Sequence, residues 1–123
     1  VECHLDARLI RKALESVELD GVKILIIENV GNLICPADFP LGSHMRLVVV
    51  SVTEGPWMIQ KHPIMFRDAD LLIINKIDLA EVMDVDVDQL ERDAKQINAA
   101  LKVLRTSVRK GLGIDEVIRQ LGL

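Results

Sequence analysis

The tetrapeptide Asn75-Lys76-Ile77-Asp78 follows directly on an aliphatic run, Leu71-Leu72-Ile73-Ile74, and carries the most specific chemistry in this chain. A carboxylate held at Asp78 can accept two hydrogen bonds at once, from the ring N–H and the exocyclic amino group of guanine. Adenine lacks those donors on that edge and would leave the carboxylate unpaired. Lys76 can lay its aliphatic stem along a base, and Asn75 can tie neighbouring loops together. Without a ligand, the same residues would be a helix-capping Asp after a strand, with Lys76 in solvent. A guanine reader also needs a second loop. Ser107-Val108-Arg109-Lys110-Gly111 follows the last apolar run, where a backbone N–H could meet the guanine carbonyl.

Glu28-Asn29-Val30-Gly31 also ends an aliphatic run. An acidic residue there can orient a Mg²⁺-bound water while the glycine N–H approaches a terminal phosphate. Taken alone, the same residues more often make a polar strand end leading into a turn. Cys3, His4 and Cys35 are ligand types suited to Zn²⁺ or Ni²⁺. Adjacent Cys and His do not easily reach one ion, however, and a free Cys is often a small buried hydrophobe. His44 and His62 stand apart and read as surface or hydrogen-bonded histidines. Asp84, Asp86 and Asp88 alternate with Val85 and Val87, which suggests a solvated edge leading to a helix cap. No G-x-x-x-x-G-K-[S/T] phosphate cradle occurs in these 123 residues, and Gly111-Leu112-Gly113 lacks the lysine and hydroxyl.

The elements that must position these residues alternate. Apolar positions at Leu5, Leu9, Ile10, Ala13, Leu14 and Val17 predict a helix within Glu2 to Leu19, closed by Asp20-Gly21. Val22 to Ile27, Leu47 to Val52, Asp70 to Ile74 and Leu101 to Thr106 read as strands. Trp57 to Phe66 reads as a short helix broken or entered at Pro63, Val87 to Ala99 as a helix with Leu90, Ala94 and Ile97 inward, and Gly113 to Leu121 as the last helix. Asn29 to Ser43, with Gly31, Pro36, Pro40 and Gly42, reads as a long functional loop. Strands alternating with helices imply βαβ crossovers, hence an α/β fold with a parallel sheet in one domain over 1–123.

Composition narrows the classes. Half of the residues are hydrophobic and 28% are charged, which excludes a disordered tail. That apolar half holds one Trp, two Phe and no Tyr, an aliphatic core suited to a parallel sheet packed by helices. A net charge of −4 argues against a nucleic-acid surface. No apolar stretch approaches the ~20 residues that span a bilayer. Two cysteines cannot make a disulfide framework, so a cytoplasmic setting is expected.

Four segments, in this order, resemble one family: Val1-Glu2-Cys3-His4-Leu5-Asp6-Ala7, the run Glu28 to Ala37, Ser51-Val52-Thr53-Glu54-Gly55 and Asn75-Lys76-Ile77-Asp78. The family is that of hydrogenase nickel-incorporation GTPases of the HypB type, and the similarity extends over nearly the whole chain. It implies a P-loop NTPase-type parallel sheet flanked by helices, of the dimerising signal-recognition and nitrogenase-iron-protein-like class. It also implies binding and slow hydrolysis of GTP to GDP with Mg²⁺, a homodimer, and nickel delivery to the large subunit of [NiFe]-hydrogenase alongside other hydrogenase maturation proteins. Carried over by residue, Asn75, Lys76 and Asp78 would recognise guanine, with Ser107 and Val108 as the second guanine loop. Glu28 and Gly31 would sit by magnesium and the terminal phosphate. Cys3, His4 and Cys35 would bind Zn²⁺ or Ni²⁺ near the dimer interface. The family's phosphate loop and first switch precede its Cys-His segment, so residues 1–123 alone are expected not to turn over GTP. Pro56 to Gln60 departs from the family's polar or acidic stretch, and Val108-Arg109 stands where Ala-Lys is usual. The competing readings are a nickel or zinc carrier module without GTP hydrolysis and an α/β interaction scaffold.

Overall fold

The computed structural model describes residues 7–29, 31 and 42–123. They fall into two compact units, Val1–His44 and Met45–Leu123. In the first, helix α1 (Ala7–Glu15) forms within the predicted helical stretch, with Lys12 in its last turn. The predicted strand Val22–Ile27 is not formed. Those residues belong to no strand, Leu25 is 46% exposed and Ile26 80% exposed. An aliphatic run becomes a strand only when a neighbour takes its N–H and C=O groups, and no described strand pairs with this one.

The second unit is built on a parallel sheet of order β1-β2-β3, comprising β1 (Leu47–Ser51), β2 (Leu71–Asn75) and β3 (Lys102–Arg105). Parallel pairing of Val49 with Ile73 and of Ile73 with Leu104 sets the register. Pairing in register puts these three on one face, where Leu71, Ile73 and Leu104 pack together with Val117 of α5 (Ile114–Gln120). Val48, Val50, Leu72 and Ile74 project to the other face and are buried. The chain between β1 and β2 forms α2 (Met58–Lys61) and α3 (Pro63–Arg67), with Pro63 opening the second helix as its missing N–H favours. Helix α4 (Val87–Ile97) connects β2 to β3, packs against α2 and α3, and buries Leu90 and Ala94.

Two details bear on what lies at the sheet's carboxyl edge. Asp86 caps α4 by accepting the Asp88 N–H at 2.9 Å, the capping role expected of that acidic run. Arg105, the last residue of β3, donates from Nη2 to Asp88 Oδ1 at 2.6 Å and Glu91 Oε2 at 2.7 Å, both on α4. The hydrogen bonds to Asp88 and Glu91 hold its guanidinium above the ordinary arginine pKa. β1 is less enclosed than its composition suggests: Val48 and Val50 are buried but Val49 is 56% exposed, and β1 carries no second strand neighbour among the described residues. No helix of the described residues is long and apolar enough to cross a membrane.

Candidate functional site

β2 and β3 end side by side, and the loops that leave them enclose a cleft of about 300 Å³. The first loop lines it with Asn75, Lys76, Asp78 and Leu79, the second with Ser107, Val108 and Arg109. All five residues expected to read a base therefore meet in one place, brought there by the parallel register of Ile74 beside Arg105.

The chain must turn sharply where β2 stops. Lys76 adopts a left-handed conformation (φ 62°, ψ 36°) and leads into a 3₁₀ turn, Ile77–Leu79. A non-glycine residue there costs about 1 kcal/mol or more. Neighbouring hydrogen bonds offset it: Ile77 N–H donates to the Thr106 carbonyl at 3.1 Å, and Leu79 N–H to that of Lys76 at 2.9 Å. This turn exposes Lys76 and points Asp78 back toward the second loop, where the Ser107 hydroxyl donates to its Oδ1 at 2.7 Å. Ser107 is fully buried, so one carboxylate oxygen is fixed by a donor that solvent does not reach.

Asn75 does the second piece of joining. Its Oδ1 accepts from the Thr106 hydroxyl at 2.9 Å and from the Val108 N–H at 3.3 Å, while its amide nitrogen has no partner among the described residues. Thr106, 2% exposed, is a partner of the cleft residue Asn75 that sequence reasoning missed. A threonine ending a strand is too ordinary to stand out, and only its pairing with Asn75 gives it a role. The second loop is closed by Ser107 and Leu112, which exchange both backbone hydrogen bonds at 3.0 Å. Beyond it Gly113 (φ 76°) lies so close to β3 that a Cβ there would overlap the Arg105 carbonyl.

The cleft thus presents a carboxylate with one oxygen pinned, an uncommitted amide N–H₂, an exposed lysine and an apolar side chain, Leu79. That set fits a flat heterocycle bearing adjacent N–H donors. Glu28 and Gly31 belong to the unit Val1–His44, where both are exposed. Cys3, His4 and Cys35 lie outside the described residues, and among those described no three His, Cys, Asp or Glu are grouped to hold a metal ion.

Comparison with known proteins agrees with this geometry. Residues 2–105 match the family described as "CobW/HypB/UreG, nucleotide-binding domain". The probable hydrogenase maturation factor HypB of Methanocaldococcus jannaschii is 53% identical over 117 residues, covering 95% of this chain and 53% of that protein. Hydrogenase maturation factor HypB of Escherichia coli K12 is 41% identical over 119 residues, 97% of this chain and 41% of that protein. The chain thus spans about half the length of these curated relatives. Among solved structures, HypB from Archaeoglobus fulgidus superposes with a TM-score of 0.93 at 48% identity, over 99% of this chain and 64% of that one. HypB from Helicobacter pylori in complex with nickel gives 0.89 at 35% identity, over 97% and 57%. The parallel sheet, the cleft at its carboxyl edge and these matches agree: the chain belongs to the CobW/HypB/UreG family of nucleotide-binding domains.

Proposed function

We propose that this chain is the guanine-reading and metal-bearing part of a GTPase that assists nickel insertion into [NiFe]-hydrogenase. The observation that carries the reading is the Ser107–Asp78 hydrogen bond of 2.7 Å in a cleft also lined by Asn75, Lys76 and Val108. A carboxylate whose one oxygen is pinned by a buried hydroxyl presents the rest of its acceptor capacity in a fixed direction. The ring N–H and amino group of guanine complement it, whereas adenine offers no donor pair there. Lys76 would cover one face of the base.

In this reading Glu28 orients a magnesium-bound water and Gly31 approaches the terminal phosphate, while nickel is cargo held by Cys3, His4 and Cys35, with zinc as the other ion those donors suit. Residues 1–123 belong to one α/β GTPase domain whose phosphate loop and first switch lie outside them, working in the cytoplasm as a homodimer with the hydrogenase large subunit and other maturation proteins. Support for nickel and for the hydrogenase comes from the relatives: one is a nickel complex, and others are hydrogenase maturation factors.

Two measurements test this. In the full-length protein GDP should bind at least about a hundredfold more tightly than ADP, the scale set by leaving a carboxylate unpaired beneath a bound base. Equal affinities would end the guanine reading. For the metal, a two-fold axis doubles each donor, so three per subunit suffice for a tetrahedral shared site. Equilibrium dialysis with Ni²⁺ should then give one ion per dimer, lost in Cys3→Ala and in Cys35→Ala. Unchanged binding in both variants would exclude those residues as the site.

A further inference from the structure

The resemblance to the HypB-type family breaks at Pro56-Trp57-Met58-Ile59-Gln60, where a polar or acidic stretch is usual. The change puts the single Trp of these 123 residues on the surface, 59% exposed. None of the five lines the cleft, so the guanine reading leaves them without a task. We propose that α2 and α3 form a docking face for an acidic, amphipathic segment of a partner protein. Trp57 and Ile64 are its apolar anchors, and Lys61 is the charge that selects the occupant.

The exposure does not come from loose packing. Helices of one turn need tertiary support, and here Met58, Ile59 and Phe66 are buried while both helices pack against α4. The Asn98 amide adds a tie, donating to the Phe66 and Ala69 carbonyls at 3.1 and 3.0 Å. The outward side is therefore held in place. Lys61 N–H donates to the Trp57 carbonyl at 3.0 Å, which sets Lys61 one helical turn beyond Trp57. α3 adds Ile64, 43% exposed, directly after Pro63. A lone exposed Ile is ordinary, but an exposed Trp with a second large apolar side chain nearby is the composition of an interface centre.

Charge names the occupant. Residues 55–67 hold Lys61 and Arg67 and no Asp or Glu, in a chain of net charge −4. Arg67 is offset by Asp68, with Nη2 at 3.3 Å from Oδ2. Glu54, the nearest acid on the other side, accepts the Ser51 N–H at 2.7 Å in a turn that packs beside Ile77–Leu79. The Lys61 ammonium has no ion pair or hydrogen bond among the described residues. An uncompensated cation one turn from an exposed indole matches a segment carrying a large apolar side chain with a carboxylate about one turn along it. A basic segment would meet like charge, and a wholly apolar one would desolvate the ammonium without pairing it.

The test selects displayed random peptides of about twelve residues on the full-length protein. The peptides obtained are then titrated against it and against its Trp57→Ala and Lys61→Glu variants. Both positions are exposed, so the urea midpoints of the variants should match that of the unmodified protein. Selected peptides should combine acidic residues with a large apolar one. They should lose about thirtyfold in affinity for Trp57→Ala and at least about tenfold for Lys61→Glu. No enrichment, neutral or basic peptides, or equal binding to both variants would each overturn the proposal. Iodide should quench the Trp57 emission of the full-length protein, taken as the difference from Trp57→Phe. Protection would mean that the chain's own residues cover this face, which also overturns it. Loss of dimerisation in Trp57→Ala would give the face to a second copy instead, and loss of binding to phosphatidylglycerol vesicles in that variant would give it to a membrane; either result overturns a peptide partner.

Discussion

Asp78→Asn is expected to cost GDP at least about a hundredfold in affinity and to raise the affinity for xanthosine diphosphate, reversing the order of the two. The direction follows from Ser107. Its buried hydroxyl donates to Oδ1 of Asp78 at 2.7 Å and can go on donating to the amide oxygen of an asparagine. That bond would orient the amide with its N–H₂ toward the base. Guanine then meets a donor with its own donors, while the 2-carbonyl of xanthine finds a partner. Removing the Ser107 hydroxyl in the same background should blunt the gain for xanthine, because the amide is free to flip. Calorimetric titration of the full-length variant with both nucleotides checks this, and retention of the GDP preference would sink the role given to Asp78.

The second large effect is on stability. Gly113→Ala should destabilise the unit Met45–Leu123 by about 3 kcal/mol, combining a left-handed residue with overpacking. Gly113 has φ 76°, and its Cα lies under the Arg105 carbonyl with the Thr106 methyl also within reach of a Cβ at 3.2 Å. Gly111 supplies the control, since its φ is 72° but nothing lies within 4 Å of a Cβ. Gly111→Ala should cost only the conformational part, about 1 kcal/mol. Urea midpoints for the two variants separate these contributions. Equal losses would mean that the close approach to Arg105 contributes nothing. Since Arg105 immediately precedes Thr106 and Ser107, Gly113→Ala should weaken GDP binding as well, and Gly111→Ala much less.

The parts of this molecule that could be read from sequence are those in which local pattern and tertiary environment agree. Leu71 to Ile74 is a short aliphatic run between polar residues, and it forms the central strand with both faces covered. Pro63 marks the junction of two short helices because its ring suits a first turn and nothing later. Asn75, Lys76 and Asp78 were legible because few patterns place a carboxylate three residues beyond a strand end. Ser107 and Val108 came from asking where the other half of such a site must lie. Val22 to Ile27 failed for the opposite reason: Ile24 to Ile27 is as aliphatic as β2, yet a strand is a relation between segments, and hydrophobicity does not name the neighbour. Thr106 was beyond periodicity altogether. It acts through a hydroxyl reaching a residue 31 positions away.

The exposed flank of β1 has a bearing on the substance as a material. Leu47-Val48-Val49-Val50-Ser51 is uncharged and β-branched at three of its positions, and its outer edge carries N–H and C=O groups without a described strand beside them. Such an edge is a template on which another molecule of the same chain can extend the sheet. The nearest charges are Arg46 before it and Glu54 after it, so the flanks carry charge and the middle of the strand carries none. Self-association seeded there begins with a collision of two molecules, so it accelerates with the square of concentration. For these residues taken by themselves, colloidal lifetime should then follow the edge of this strand more than the chemistry of the cleft.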